Sequence, residues 1–223
     1  MCLICEHESK YNKTKIYRIT ELRICESITQ SQLDKINLPK LEKLYCFYCR
    51  NIQNIPFFPN LKVLHIWRCS NLYHIPVFPN LQKLGCWECP NLREVPVFPN
   101  LISLDCWNCS NILSLPNIPS LRTVCFRDCE GLQTIPFLPN LSTLTCEDCP
   151  DLQIIPFLPN LSVLTFFDCA SLCNHSLYRK WTDNAFRKGI PVLLLEWRKR
   201  IRKRKTNINN LLPFPMELKQ KIK

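Results

Sequence analysis

The chain has 223 residues, 46% of them hydrophobic, enough for one cored domain or a domain with an appendage. Its formal charge of +11 is uneven: residues 174–223 hold 14 Lys and Arg against Asp183, Glu196 and Glu217, while residues 1–173 balance at 15 of each sign. No stretch approaches the ~20 apolar residues of a membrane span, and Met1–Glu8 lacks the basic and apolar regions of a secretory leader.

The 16 cysteines are therefore expected in a reducing, intracellular compartment, the cytoplasm, where thiols stay free. With three glycines against 18 prolines, turns are expected to be set by proline stiffness rather than glycine freedom.

Residues 1–37 read as a degenerate N-terminal cap, in which Ile19, Leu22 and Ile24 keep a weak form of the pattern that follows. Cys2, Cys5, His7 and Cys25 offer metal-ligating types, but one Cys-x-x-Cys at a chain end also fits a loosely ordered terminus. No metal or cofactor is expected.

Residues 38–173 are repetitive. Ile55-Pro56-Phe57-Phe58-Pro59-Asn60-Leu61 returns as Ile75-Pro76-Val77-Phe78-Pro79-Asn80-Leu81 and again from Val95, Leu115, Ile135 and Ile155, always 20 residues on. A partial copy starts at Leu38-Pro39. Leu84 and Cys86 alternate with positions expected to be exposed, giving a short strand of period two. Leu81, Leu92, Val95 and Phe98 are expected inside, and the two prolines make the return segment extended rather than helical. No unit buries its apolar side alone, so stacked parallel strands are implied.

The pattern Leu81-x-x-Leu84-x-Cys86-x-x-Cys89-x-x-Leu92-x-x-Val95-Pro96-x-Phe98-Pro99-Asn100 resembles the leucine-rich-repeat family, in a short variant with Cys at the asparagine position. It is most similar to repeats of giant DNA viruses of the mimivirus kind, and it also resembles those of plant immune receptors and bacterial effectors. The resemblance implies a repeat solenoid: a leucine-rich-repeat horseshoe with a parallel β-sheet on the concave face, an extended Pro-rich convex side and an α-helical C-terminal cap. It also implies a noncatalytic protein-interaction module, in the host cell cytoplasm for a viral protein.

Four units contain Cys-x-x-Cys, a zinc spacing. Other units place Ile66, Phe126 and Phe166 at the first position, which fill a core and ligate nothing. The second position is Cys in all seven units, from Cys49 to Cys169, and reads as a ladder of buried thiols that donate weakly to the neighbouring turn.

The strand positions expected to face solvent form three columns. One reads Phe47, Trp67, Trp87, Trp107, Arg127, Glu147, Phe167; the next Tyr48, Arg68, Glu88, Asn108, Asp128, Asp148, Asp168; the third Tyr45, His65, Gly85, Asp105, Cys125, Thr145, Thr165. Aromatic and arginine side chains concentrate at binding hot spots. The candidate partner-binding residues are Tyr45, Phe47, Tyr48, His65, Trp67, Arg68, Trp87, Glu88, Asp105, Trp107, Asn108, Arg127 and Asp128. The alternative is that the aromatic ladder only packs on itself.

Residues 174–223 read as a basic helical cap and tail. One helix is expected over Ser176–Lys188, ended by Gly189, and a second from Pro191 with Leu193, Trp197 and Ile201 on one face. Arg198, Lys199, Arg200, Arg202, Lys203, Arg204 and Lys205 form a basic patch. It is a solvated face, a nuclear import or nucleic-acid patch, or a contact for anionic membrane. Phe214–Ile222, with Pro215-x-Glu217-Leu218-x-x-Lys221-Ile222, resembles the opening helix of an F-box, although the following helices of such a box are absent here. That resemblance implies an alternative role, substrate recognition for a ubiquitin ligase. No phosphate loop, carboxylate pair or Ser-His-Asp set suggests an enzyme.

Overall fold

A computed structural model describes residues 18–173. Eight five- or four-residue strands lie in one parallel sheet in sequence order: β1 (Glu21–Ile24), β2 (Lys43–Phe47), β3 (Val63–Trp67), β4 (Lys83–Trp87), β5 (Ser103–Trp107), β6 (Thr123–Arg127), β7 (Thr143–Glu147) and β8 (Val163–Phe167). From β2 onward the register is uniform at 20 residues, Leu44 beside Leu64 and Leu64 beside Leu84. Each coil thus makes one strand, turns back, and re-enters one strand further along.

The period-two pattern sorts the strand residues. Leu104 and Cys106 are fully buried while Asp105 and Trp107 face outward and are partly covered. On the return segment the period becomes three: Cys49, Ile52, Ile55, Phe58 and Leu61 are all buried. Three residues per turn is the repeat of polyproline II, the conformation that prolines favour. One ridge of the return segment therefore enters the core and two stay outside. Inside, Phe58, Phe78 and Phe98 recur in successive coils, with the Phe78 and Phe98 rings stacked at 6.5 Å.

Proline also creates a need that the next coil meets. Pro59, Pro79 and their equivalents stand in turns, so their carbonyls need a partner outside the strand ladder. The asparagine one coil on supplies it: Asn80 Nδ2 donates to Pro59 O at 2.9 Å, Asn100 to Pro79 O at 2.8 Å and Asn140 to Pro119 O at 2.9 Å. Ser120, at the same position, donates instead to Leu101 O at 2.8 Å. A second file runs from Asn71 to Arg50 O and from Asn91 to Ser70 O, each at 2.6 Å.

The turns at Pro59-Asn60, Pro79-Asn80 and their equivalents follow the expectation drawn from proline, with Leu61 N donating to Phe58 O at 3.2 Å; the strand ends do not. Tyr48, Arg68, Glu88, Asn108, Asp128, Asp148 and Asp168 all have positive φ, between 47° and 59°. These left-handed residues, none of them glycine, follow β2 to β8. The N–H of Asn108 still reaches Arg127 O at 2.9 Å, so the ladder continues one residue past the strand before the chain swings away. The same holds from Tyr48 N to Trp67 O, 2.8 Å. The sheet ladder compensates for a conformation that costs an L-residue about 1–2 kcal/mol.

In the first coil a short helix, α1 (Gln30–Asp34), replaces the extended return. Thr29 and Gln32 form a reciprocal capping box at its start. Gln30 then closes the exposed ladder of the next coil, accepting from Gln53 N at 2.8 Å and donating to Asn54 Oδ1 at 3.0 Å. A four-residue helix, α2 (Ala170–Cys173), ends the described chain. No helix among the described residues is long and apolar enough to cross a membrane. The helices expected at Ser176–Lys188 and from Pro191, the basic run at 198–205, the segment 214–222 and the ligand set Cys2, Cys5, His7 lie outside the described residues.

Candidate functional site

The solvent side of the sheet carries the three columns in register. Phe47, Trp67, Trp87 and Trp107 sit side by side on β2 to β5, and Tyr45, His65, Gly85 and Asp105 form the column two residues earlier. Tyr48, Arg68, Glu88, Asn108 and Asp128 stand one residue beyond their strands, at the left-handed corners, rather than on the strands themselves. All thirteen candidate residues therefore fall on one surface.

The indoles on that surface are half-buried, each held by its own surroundings. Trp67 has Phe47 edge-on at 6.3 Å and Tyr48 at 4.7 Å, with the Arg68 guanidinium 5.1 Å over its ring. Its Nε1 donates to Glu88 Oε1 at 3.1 Å, and Arg68 Nε donates to the other oxygen at 2.6 Å. Glu88 thus ties an indole and a guanidinium of the preceding coil. Trp107 repeats the arrangement, its Nε1 donating to Asp128 Oδ2.

Trp87 is placed differently. Its ring folds back over Gly85, where an added Cβ would lie 2.8 Å from Trp87 Cζ2 and Cη2. Glycine is required here for close approach, its backbone being ordinary strand. The ring then meets His65 edge-on at 5.0 Å, and His65 meets Tyr45 at 5.3 Å. Enclosed this way, His65 Nδ1 is buried with no hydrogen-bond partner. Burial, reinforced by Lys83, pulls its pKa down to about 4 and keeps it neutral.

Polarity changes along the sheet. Asp105 on β5 is raised by burial, with Trp87, Arg127 and Cys125 opposing the shift. Arg127 pairs with Glu147 at 3.1 Å. Beyond it, Asp128, Asp148 and Asp168 form a corner file, and no salt bridge reaches any of them among the described residues. Burial, then repulsion from Asp128 and Asp168, raises Asp148 to about 6.

The thiols lie behind this surface, in the core. Cys109 Sγ contacts Cys86 O at 3.4 Å and Trp107 O at 3.5 Å; Cys129 and Cys169 repeat the pair one and three coils on. Burial raises Cys46 and Cys146 well above the ordinary thiol value and brings Cys129 to about 12. Such thiols are protonated, weak donors in a sealed core. Among the described residues, two cysteines stand outside the core: Cys125 in the outward column of β6, and Cys25, whose thiol lies 3.2 Å from Ser27 Oγ.

A second surface escaped sequence reasoning. Phe57, Val77, Val97, Phe137 and Phe157 occupy the position between the two prolines and stand open on the return side. The signal was present as an apolar residue at a fixed place in the repeat. Period-two reading gives it no direction, whereas the period-three return turns it outward.

No protein-family model and no curated protein matches the chain. Among solved structures it is similar to the leucine-rich repeat domain of the type III effector XopL, at 19% identity over 68% of this chain and 70% of that one, with a TM-score of 0.48. That likeness is one of fold outline; the description of the sheet and its coils rests on this chain's own register.

Proposed function

We propose that the chain is a noncatalytic protein-binding module of the leucine-rich-repeat kind, and that its partner docks on the sheet face. One observation carries the reading: indoles on three consecutive strands are left half-open, and the Trp67 and Trp107 N–H groups are tethered to carboxylates one coil on. A tethered aromatic loses little freedom on binding, so its buried area is converted into affinity with less entropic cost. The acidic file at Asp128, Asp148 and Asp168, which no salt bridge neutralises among the described residues, favours a partner whose basic segment lies over β6 to β8. The Cys-containing 20-residue unit, with its buried free thiols, suits a reducing cytoplasm, the host's if the resemblance to giant-virus repeats reflects descent.

The test is a pull-down from cytosolic extract. It compares the chain with a Trp67→Ala, Trp87→Ala, Trp107→Ala variant whose fold is verified by circular dichroism. Loss of a partner from the folded variant is the expected result. A partner retained at equal strength would sink this reading and direct attention to Arg198–Lys205. An adaptor role for a ubiquitin ligase rests on the Pro215–Ile222 motif alone. It requires co-purifying ligase subunits that disappear when residues 212–223 are deleted.

A further inference from the structure

We infer that the segment received by the sheet face is an amphipathic helix of a protein partner, laid across the strands with its apolar half over β3 to β5 and its basic half over β6 to β8. The inference rests on the sheet face being the binding surface, and it names the shape and chemistry that fit there.

The face has two halves. Trp67, Trp87 and Trp107 are adjacent across β3, β4 and β5. The N–H groups of Trp67 and Trp107 are committed to Glu88 and Asp128, so what these two indoles offer a partner is ring surface rather than a donor. Apolar side chains match such a surface. On β6 the same column changes to Arg127, which pairs with Glu147 of β7 at 3.1 Å. One residue further on, at the left-handed corners, Asp128, Asp148 and Asp168 continue the line in three successive coils. Asp128 and Asp168 are exposed, and no salt bridge reaches any of the three among the described residues. The acidic file begins on the coil after the last tryptophan, so one ligand meets both by running across the strands. A segment lying parallel to the strands would meet only one or two coils.

Pitch selects the conformation. Strands stand ~4.8 Å apart, so a crossing ligand needs side chains at 0, ~4.8 and ~9.6 Å to meet the three indole coils. On a helix, residues i, i+3 and i+7 share a face and lie at 0, ~4.5 and ~10.5 Å along the axis. On an extended chain, residues of one face recur every ~6.6 Å and are ~3.6 Å out of step by the third coil. The five strand steps from Trp67 to Asp168 span ~24 Å, about five turns of helix. Positions i+11, i+14 and i+18 then fall within ~3 Å of the three Asp coils, a gap that the long stems of Lys and Arg bridge. The partner sequence therefore has apolar residues at helical spacing in one half and basic residues on the same face of the other.

The experiment is a selection from displayed random peptides of about 20 residues, long enough for five turns. The bait is the full chain under reducing conditions, with counter-selection on the folded Trp67→Ala, Trp87→Ala, Trp107→Ala variant. Enriched peptides are expected to show the apolar and basic halves at helical spacing. A synthetic copy of the strongest should gain helical circular dichroism on binding, and a proline at its centre should weaken it about a hundredfold. Asp148→Asn combined with Asp168→Asn should slow its association and flatten its salt dependence. Enriched peptides that are extended, proline-rich or without basic residues overturn the inference, as does no enrichment over the Trp variant. A cytosolic partner lost from the Trp variant, beside peptides that lack helical spacing, removes the helix and leaves the sheet face as the binding surface. Loss of neither partner nor peptide from that variant removes both.

Discussion

His65 and Asp148 sit on the same sheet face and respond to acid in opposite directions. His65 is held near 4 when folded against 6.5 when unfolded, so its contribution is complete above pH 6.5 and is lost as pH falls toward 4. Asp148 is held near 6 against 3.8, so its contribution is complete below pH 3.8 and is lost as pH rises toward 6. Chemical denaturation of the wild type and of His65→Gln between pH 7 and 4 should show the variant losing less stability across that window. Asp148→Asn should show the reverse, lacking the gain that the wild type makes as Asp148 takes its proton. Parallel curves for all three proteins would mean that the sheet face does not set these affinities. Sequence spacing alone places both residues in their columns. It does not disclose that Trp87 folds onto Gly85 and seals His65, because that depends on a rotamer chosen in three dimensions. The left-handed corners were half hidden: Asn108, Asp128, Asp148 and Asp168 are of types that favour positive φ, but Tyr48, Arg68 and Glu88 are not, and at these three the ladder bond from the corner N–H compensates.

At the scale of the coil, two kinds of contact recur with unequal weight. The core file at Phe58, Phe78 and Phe98 removes whole aromatic rings from water. The file of Asn side chains closes one carbonyl per coil at a partly solvated edge. Phe98→Ala should cost about 3–5 kcal/mol through lost transfer energy and the cavity left behind. Asn100→Ala should cost about 0.5–1.5 kcal/mol, since water can reach Pro79 O. Urea denaturation of both variants checks the ranking; an Asn100 effect equal to that of Phe98 would place the Pro-Asn step at the centre of coil stability. Strand direction and the inward set were legible in the sequence, because Leu84, Cys86, Leu92, Val95 and Phe98 recur at fixed steps. The asparagine's task was not, since its acceptor is a carbonyl 21 residues earlier, and a repeat pattern records position without partner.

For the molecule as a whole, the uniform 20-residue register makes each coil interchangeable in backbone and distinct in surface. Neighbours contact neighbours, so stability is close to a sum of coil and interface contributions. Deleting residues 81–100 should therefore give a shorter folded solenoid, with β3 beside β5 and Trp67 beside Trp107. Circular dichroism should keep its native form while the urea midpoint falls. Collapse to an unfolded chain would show that the coils act as one indivisible unit.

The file of sealed thiols gives the molecule a property unrelated to its surface. Each coil from Cys49 to Cys169 holds a thiol that is buried and, at Cys129, shifted to about 12. An alkylating reagent attacks only a thiolate it can reach, so each such cysteine reacts only while its own coil is open. Flanking residues differ from coil to coil, which makes every labelled peptide distinguishable by mass. The chain thus carries a built-in set of clocks, one per coil, whose labelling rates chart where the solenoid breathes and in what order it comes apart.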